Sequence, residues 1–453
     1  MKLKNKKIAV IGLGKSGFAA AKFLLTQKAQ VCATDSSSKK EVLENAGYLR
    51  SVGAEVETGG HTEEFLQNVD LIVTSPGVPR DSLPLEFAKK KKISVISEVE
   101  LAYQFCQGLI VAVTGSNGKT TTCNLIHRMI SDAGRPSVLC GNVGYSFLEA
   151  VPGIGPETVV VLELSSFQLE DSPTFRSSIA VVLNVSANHL DRHKTIENYT
   201  LAKEKIFKNQ KASDHLILNY DDPIVRSMSK KTKSKVIFYS QNHLQGDIFW
   251  QDHMVWIRRG RAKKTFLDAA DFQLKGMHNM QNIMAAAAVG MALKLPREKM
   301  QKTLESFKTL EHRIELMGQV RGIHFVNDSK STTVESTRAA ILASETPVIL
   351  LAGGRDKGAP FSEIEMLVRE RVRTVVLYGE AREKIAAAWP TLSSVRTERD
   401  FHQAVRLAYE EARPGDTVLL SPMCTSFDQF SSYEHRGETF KQIFHELEKQ
   451  WTL

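Results

Sequence analysis

The chain has 453 residues, 42% hydrophobic and 24% charged, with 59 Lys and Arg against 51 Asp and Glu for a net charge of +8. This composition excludes a fibrous or disordered protein, and the length implies roughly two to four domains. The mild positive excess suits a substrate rich in phosphate or carboxylate, whereas the basic runs at 2–7 and 89–92 lack the interleaved aromatic residues of a nucleic-acid surface, so no nucleic-acid partner is expected.

Short apolar, β-branched runs at 7–11, 71–74, 109–114, 158–164, 179–185, 348–352, 374–378 and 417–421 alternate with helical patterns. Runs of this kind are buried parallel strands, and their alternation with helices makes an α/β protein built of βαβ units. The βα pattern restarts twice, which predicts three domains: 1–103, 104–309 and 310–453. The first strand is followed by GLGKSG (12–17), and Asp35 lies 18 residues after Gly17. Alone, that is the fingerprint of a nucleotide diphosphate seated on a helix N-terminus, with an acid for a ribose. It suits an NAD-dependent oxidoreductase or any other diphosphate nucleotide.

The second block opens with a strand running into TGSNGKTTT (114–122). Gly115 and Gly118, around Ser116 and Asn117, let backbone N–H groups approach phosphate oxygens. Lys119 supplies a cation for the β/γ-phosphates, and the Thr120 hydroxyl suits magnesium. The usual phosphate loop has four residues between its first glycine and Gly-Lys; here there are two. Glu163 ends a buried strand, the position of a magnesium ligand or of a surface ion pair. By residue type alone, His189 reads as a structural loop histidine and Lys203 as an exposed helix lysine. Asn279 and Asn282 share one face of an alanine-rich helix, Asn279 at its cap. The five cysteines form no Cys-x-x-Cys pair and are odd in number, as expected of free thiols in a reducing compartment. The chain shows no signal-peptide core and no membrane-length apolar run, so a cytoplasmic location is expected.

Taken together, TGSNGKTTT, GNVG (141–144), ELSSFQLE (163–170), NHLDRH (188–193), AKEKIF (202–207), GMHNMQN (276–282), EHRIE (311–315), NDSKSTT (327–333) and GGRDKG (353–358) resemble the Mur ligase family in content and order. The Rossmann-like first block and the ending SPMCTSFDQFSSYEHRG (421–437) narrow the resemblance to its glutamate-adding branch. The resemblance implies a Rossmann-like N-terminal domain, a central P-loop ATPase-like domain and a C-terminal Rossmann-like domain that closes over the site. It further implies an ATP-dependent ligase using two Mg2+ ions to join D-glutamate to UDP-N-acetylmuramoyl-L-alanine; a monomer is expected.

On the resemblance, Gly14, Lys15 and Ser16 cradle the UDP diphosphate, Asp35 and Ser36 face the uracil end, and Asn142 meets the sugar acid. Residues 115–121, Thr121 included, hold the phosphates. Thr120, Glu163, His189 and a carbamylated Lys203 hold the metal ions. Asn279 and Asn282 lie near the base, Arg313 reaches the ATP phosphates, Asp328 the ribose, and Lys330 the reacting groups. Thr332, Lys357, Ser426, Phe427 and Tyr433 receive glutamate; Tyr433 stands where the family commonly has phenylalanine.

Overall fold

Apolar strands flanked by helices bury both faces only in parallel sheets covered on each side, and three sheets form here. The computed structural model describes residues 2–186, 190–260, 262–274, 277–307, 311–344 and 347–452, with 190, 191, 259, 278 and 452 described by backbone alone. The α/β class expected from the sequence is present.

The first sheet holds β1 (Lys7–Ile11), β2 (Gln30–Asp35), β3 (Glu55–Thr58), β4 (Leu71–Thr74) and β5 (Ser94–Ser97), all parallel, in the order β3-β2-β1-β4-β5. The direction of winding reverses between β1 and β4. That opens a crevice beyond their C-terminal ends, where ligands of such sheets bind.

The second sheet contains β6 (Leu109–Thr114), β7 (Ser137–Gly141), β8 (Val159–Glu163), β9 (Ile179–Val182), β10 (His215–Asn219), β11 (Lys235–Ser240), β12 (Ile248–Gln251), β13 (Met254–Arg259) and β14 (Ala262–Asp268). Its order is β14-β13-β12-β11-β10-β9-β6-β8-β7. β6 and β8 are buried almost throughout, and the parallel part ends in an antiparallel edge, β12-β13-β14. The sequence reading missed this edge. Its turn signal is Asp252-His253, both at positive φ (51° and 58°), as a two-residue hairpin requires.

The third sheet has β15 (Glu315–Val320), β16 (Ile323–Asn327), β17 (Val348–Gly353), β18 (Val372–Tyr378), β19 (Val395–Thr397) and β20 (Thr417–Met423), in the order β15-β16-β20-β17-β18-β19. It is parallel apart from the β15–β16 hairpin. By compactness, residues 1–272 with 279–306 form one unit, and 273–278 with 307–453 another.

The run at 179–185 stops pairing at Val182. Leu183 still donates its N–H to Thr114, but Asn184 turns to the phosphate loop. Its Oδ1 accepts from Asn117 N at 2.8 Å and its carbonyl accepts from Ser116 N at 3.0 Å. One polar residue inside the predicted run, Asn184, therefore leaves the sheet to brace a turn.

Candidate active site

The loop after β6 leads into the helix Lys119–Asp132, with Gly118 as its N-cap at φ +83°. A Cβ at Gly118 would stand 2.3 Å from Asn282 Oδ1, so both the conformation and the space require glycine. Asn282 accepts from Thr122 Oγ1 at 3.2 Å and donates to Asn279 Oδ1 at 3.3 Å. Both asparagines are buried, and Asn279 is the third residue of the helix Met277–Ala292 rather than its cap. Thr120 and Thr121 are also buried. Lys119 Nζ folds back onto the loop, donating to Gly115 O at 2.8 Å and Ser116 O at 2.9 Å.

Lys203 corrects the residue-type expectation of an exposed lysine. It is 1% exposed and lies on the helix Ile196–Glu204, which packs against the helix Ser166–Glu170. Its Nζ donates to Gly115 O at 2.9 Å and lies 4.4 Å from the ring centre of Tyr199. Burial first, then the neighbouring charge of Lys119, push its pKa well below the usual lysine value.

Glu163 stands at the end of β8, beside β6. It is 1% exposed; Oε1 accepts from Asn142 Nδ2 at 2.8 Å, and Oε2 is buried with no hydrogen-bond partner among the described residues. A bare buried carboxylate oxygen is costly, and beside a phosphate loop it fits a divalent cation. His189 lies outside the described residues.

A cleft of 540 Å³ opens at the β1–β4 crevice. It brings together Gly14, Lys15, Ser16, Asp35, Ser36 and Asn142, all six residues expected to meet the UDP-linked substrate. Asp35 spends both oxygens on the backbone: Oδ2 accepts from Leu13 N at 2.6 Å and Oδ1 from Ser37 N at 2.8 Å. It thereby shapes the glycine loop. Gly17 is needed for close approach, since a Cβ there would lie 1.7 Å from Gly12 O. Lys15 Nζ reaches across to Gly144 O.

In the second compact unit, residues 327–333, 353–358 and 421–427 leave the C-terminal ends of the adjacent strands β16, β17 and β20. Asp328 is fully buried and accepts from Ser421 Oγ at 2.7 Å and Ile314 N at 3.2 Å. Burial raises its pKa to about 6, against the hydrogen bonds of Ser331 and Ser421 and the charge of Arg313. Lys330 Nζ lies 5.4 Å from the ring centre of Tyr433. Ser426 is buried, Thr332 is half-buried, and Lys357 and Phe427 are exposed.

The chain matches three family models in sequence: "Mur ligase MurD-like, N-terminal domain" over 6–97, "Mur ligase middle domain" over 113–290 and "Mur ligase, glutamate ligase domain" over 312–424. It is 42% identical to a UDP-N-acetylmuramoylalanine–D-glutamate ligase of Koribacter versatilis, with 99% of each chain covered. The chain belongs to the Mur ligase family. A ligase of the same name from a Thermoanaerobacter species is 40% identical over 99% of this chain and all of its own. Among solved structures, the fold is shared with a MurF ligase from Thermotoga maritima in complex with ADP (TM-score 0.62, 18% identity, 99% of each chain). It is also shared with a pseudomurein peptide ligase type C from Methanothermus fervidus (TM-score 0.62, 18% identity, 98% and 100% covered).

Within this Mur ligase, several residues of the site escaped the sequence reading. The loop 75–79, His61 and Gln168 line the cleft; SPGVP directly after a strand was the available signal for the first. Asn184 offered none, because its role needs the phosphate loop beside it. Arg436 is fully buried and donates to Ser329 Oγ at 3.0 Å, Ser329 O at 2.8 Å and Cys424 O at 3.2 Å. It ties the loop carrying Asp328 and Lys330 to the loop carrying Ser426 and Phe427.

Proposed function

We propose that this Mur ligase uses ATP to join D-glutamate to UDP-N-acetylmuramoyl-L-alanine, a step of peptidoglycan precursor synthesis in the cytoplasm. The observation that carries the reading is the cleft. Six residues expected at the UDP-linked acid converge there, and one of them, Asn142, is hydrogen-bonded to Glu163 beside the phosphate loop. The NAD-dependent alternative left open by GLGKSG has no support in the family.

The acceptor's alanyl carboxylate attacks the γ-phosphorus of ATP, the bond to the bridging oxygen breaks, and ADP leaves. The glutamate amine then attacks the acyl phosphate, the tetrahedral intermediate expels phosphate, and the amine loses its proton. Lys119 exchanges its two loop carbonyls for the phosphates and offsets the repulsion between two anions. Magnesium, expected as two ions, would be held by Thr120, Glu163, His189 and Lys203 once carbamylated, and would neutralise phosphate charge. The lowered pKa of Lys203 supports that assignment, since only a neutral amine adds carbon dioxide.

The remaining roles are proposals of the same kind. Asn279 and Asn282 serve the nucleotide base. Arg313, Asp328 and Lys330 serve ATP and the reacting groups. Thr332, Lys357, Ser426, Phe427 and Tyr433 serve the amino acid, whose two carboxylates suit a lysine and hydroxyls. The domains are taken as 1–103, 104–309 and 310–453, in a monomer. Among the described residues no helix is long and apolar enough to cross a membrane.

Phosphate release from ATP with UDP-N-acetylmuramoyl-L-alanine, measured across a panel of amino acids including both glutamates, tests the reading. Release should require D-glutamate; release independent of any amino acid, or absent with glutamate, refutes it. Lys119→Ala should abolish turnover and leave UDP binding intact.

A further inference from the structure

The wall of the cleft formed by residues 75–79 is tied at its start, where Ser75 N donates to Ile11 O at 2.9 Å and Ser75 Oγ to Gly12 O at 3.0 Å, and is braced from outside beyond it. Pro76 and Pro79 have no N–H to donate, and the loop's internal hydrogen bond is a turn, Val78 N to Ser75 O at 3.2 Å. The carbonyls of Pro76 and Val78 instead accept from one side chain of the second sheet's half of the unit. Arg192 Nη1 donates to Pro76 O at 3.0 Å and to Val78 O at 2.9 Å.

The same guanidinium is held on its other side. Nη2 donates to Glu170 Oε2 at 2.8 Å, and the group lies 4.6 Å from the ring centre of Phe167. Glu170 is gripped in turn by Arg80, through Nε at 3.0 Å and Nη2 at 2.8 Å, and pairs with His193 at 3.4 Å. Burial alone would raise the Glu170 carboxyl, but Arg192 and Arg80 outweigh it and hold the pKa below the ordinary carboxylate value. The helix Ser166–Glu170 thus presents Gln168 to the cleft and Phe167 and Glu170 to the arginine. A planar fork with several donors suits two carbonyls and a carboxylate at once; an ammonium does not.

We propose that Arg192 is a positioning residue for the acceptor: it fixes the 75–79 wall and so sets the affinity for the uridine diphosphate end. This rests on the reading of the cleft as the site of the UDP-linked acid. The test compares Arg192→Met, Arg192→Lys and Glu170→Gln with wild type in the full chain. The readouts are calorimetric binding of UDP, binding of a non-hydrolysable ATP analogue, and KM against kcat for the acceptor.

Arg192→Met should weaken UDP binding and raise the acceptor KM tenfold or more, with ATP-analogue affinity within twofold and a smaller change in kcat. Arg192→Lys should recover only part of the loss, and Glu170→Gln should shift UDP affinity in the same direction by less. Unchanged UDP affinity in Arg192→Met overturns the proposal, as does an equal loss of ATP-analogue affinity, which would mark a general structural role. Wild-type protein that fails to bind UDP overturns the reading of the cleft instead.

Discussion

Gly118→Ala tests whether the phosphate loop and the distant GMHNMQN segment are one construction. Gly118 sits at φ +83°, where an alanine costs about 1–2 kcal/mol. Its Cβ would stand 2.3 Å from Asn282 Oδ1 and 3.3 Å from Leu183 Cδ1. Asn282 must turn away and give up its bond from Thr122, worth about 0.5–1.5 kcal/mol. The sum is roughly 1.5–3.5 kcal/mol, and at about 2–4 °C per kcal/mol the midpoint of the first compact unit should fall by roughly 3–14 °C. ATP-analogue affinity should fall with it, since the loop backbone moves, while UDP still binds. Scanning calorimetry with and without each nucleotide reads both effects. In an Asn282→Ala background the steric part disappears, so Gly118→Ala should then cost only its backbone part, a coupling of about 1 kcal/mol. A midpoint within 1 °C of wild type with unchanged ATP-analogue affinity refutes the reasoning.

Gly17→Ala places a Cβ 1.7 Å from Gly12 O and 2.6 Å from Ser75 Oγ; UDP affinity by calorimetry should fall tenfold or more with ATP-analogue binding retained. Glu98 is fully buried, with Oε1 accepting from Leu148 N and Oε2 without a partner among the described residues, and burial raises its pKa from 4.5 to about 7. The raised folded-state pKa means the stabilisation is complete below 4.5 and lost as pH climbs through about 7. Glu98→Gln does not ionise, so its stability relative to wild type should rise by an amount on the order of 2–3 kcal/mol between about pH 5 and 8, read from thermal midpoints; a pH-independent difference contradicts it. Arg436→Met orphans the acceptors on Ser329 and Cys424 and should destabilise the second compact unit by about 3 kcal/mol or more. Arg436→Lys should not restore it, and UDP affinity should stay within twofold.

The strand–glycine–helix turns were legible because each is local: five or six buried residues, a loop whose backbone must approach phosphate, and a helix start. The chain order alone therefore indicated Gly14 to Ser16, residues 115–120 and the strand-end Glu163, along with the α/β class. The antiparallel edge β12-β13-β14 was not legible, because its strands alternate weakly and its first turn carries Asp252 and His253 rather than a glycine. Lys203 and Arg436 were misjudged or missed for a different reason. A buried cation looks like any surface lysine or arginine until its surroundings are known.

What the sequence determined by itself was the list of chemical groups and the local turns that expose them, since those depend on neighbours a few residues away. The tertiary structure decided which groups share a space. It set Asn282 against Gly118, Lys203 beneath Gly115, Asn142 on Glu163 and Arg192 behind the cleft wall. These contacts span from 21 to more than 160 residues of chain. Burial and hydrogen-bond satisfaction across that distance follow from how strands and helices pack together, which no short stretch of sequence encodes.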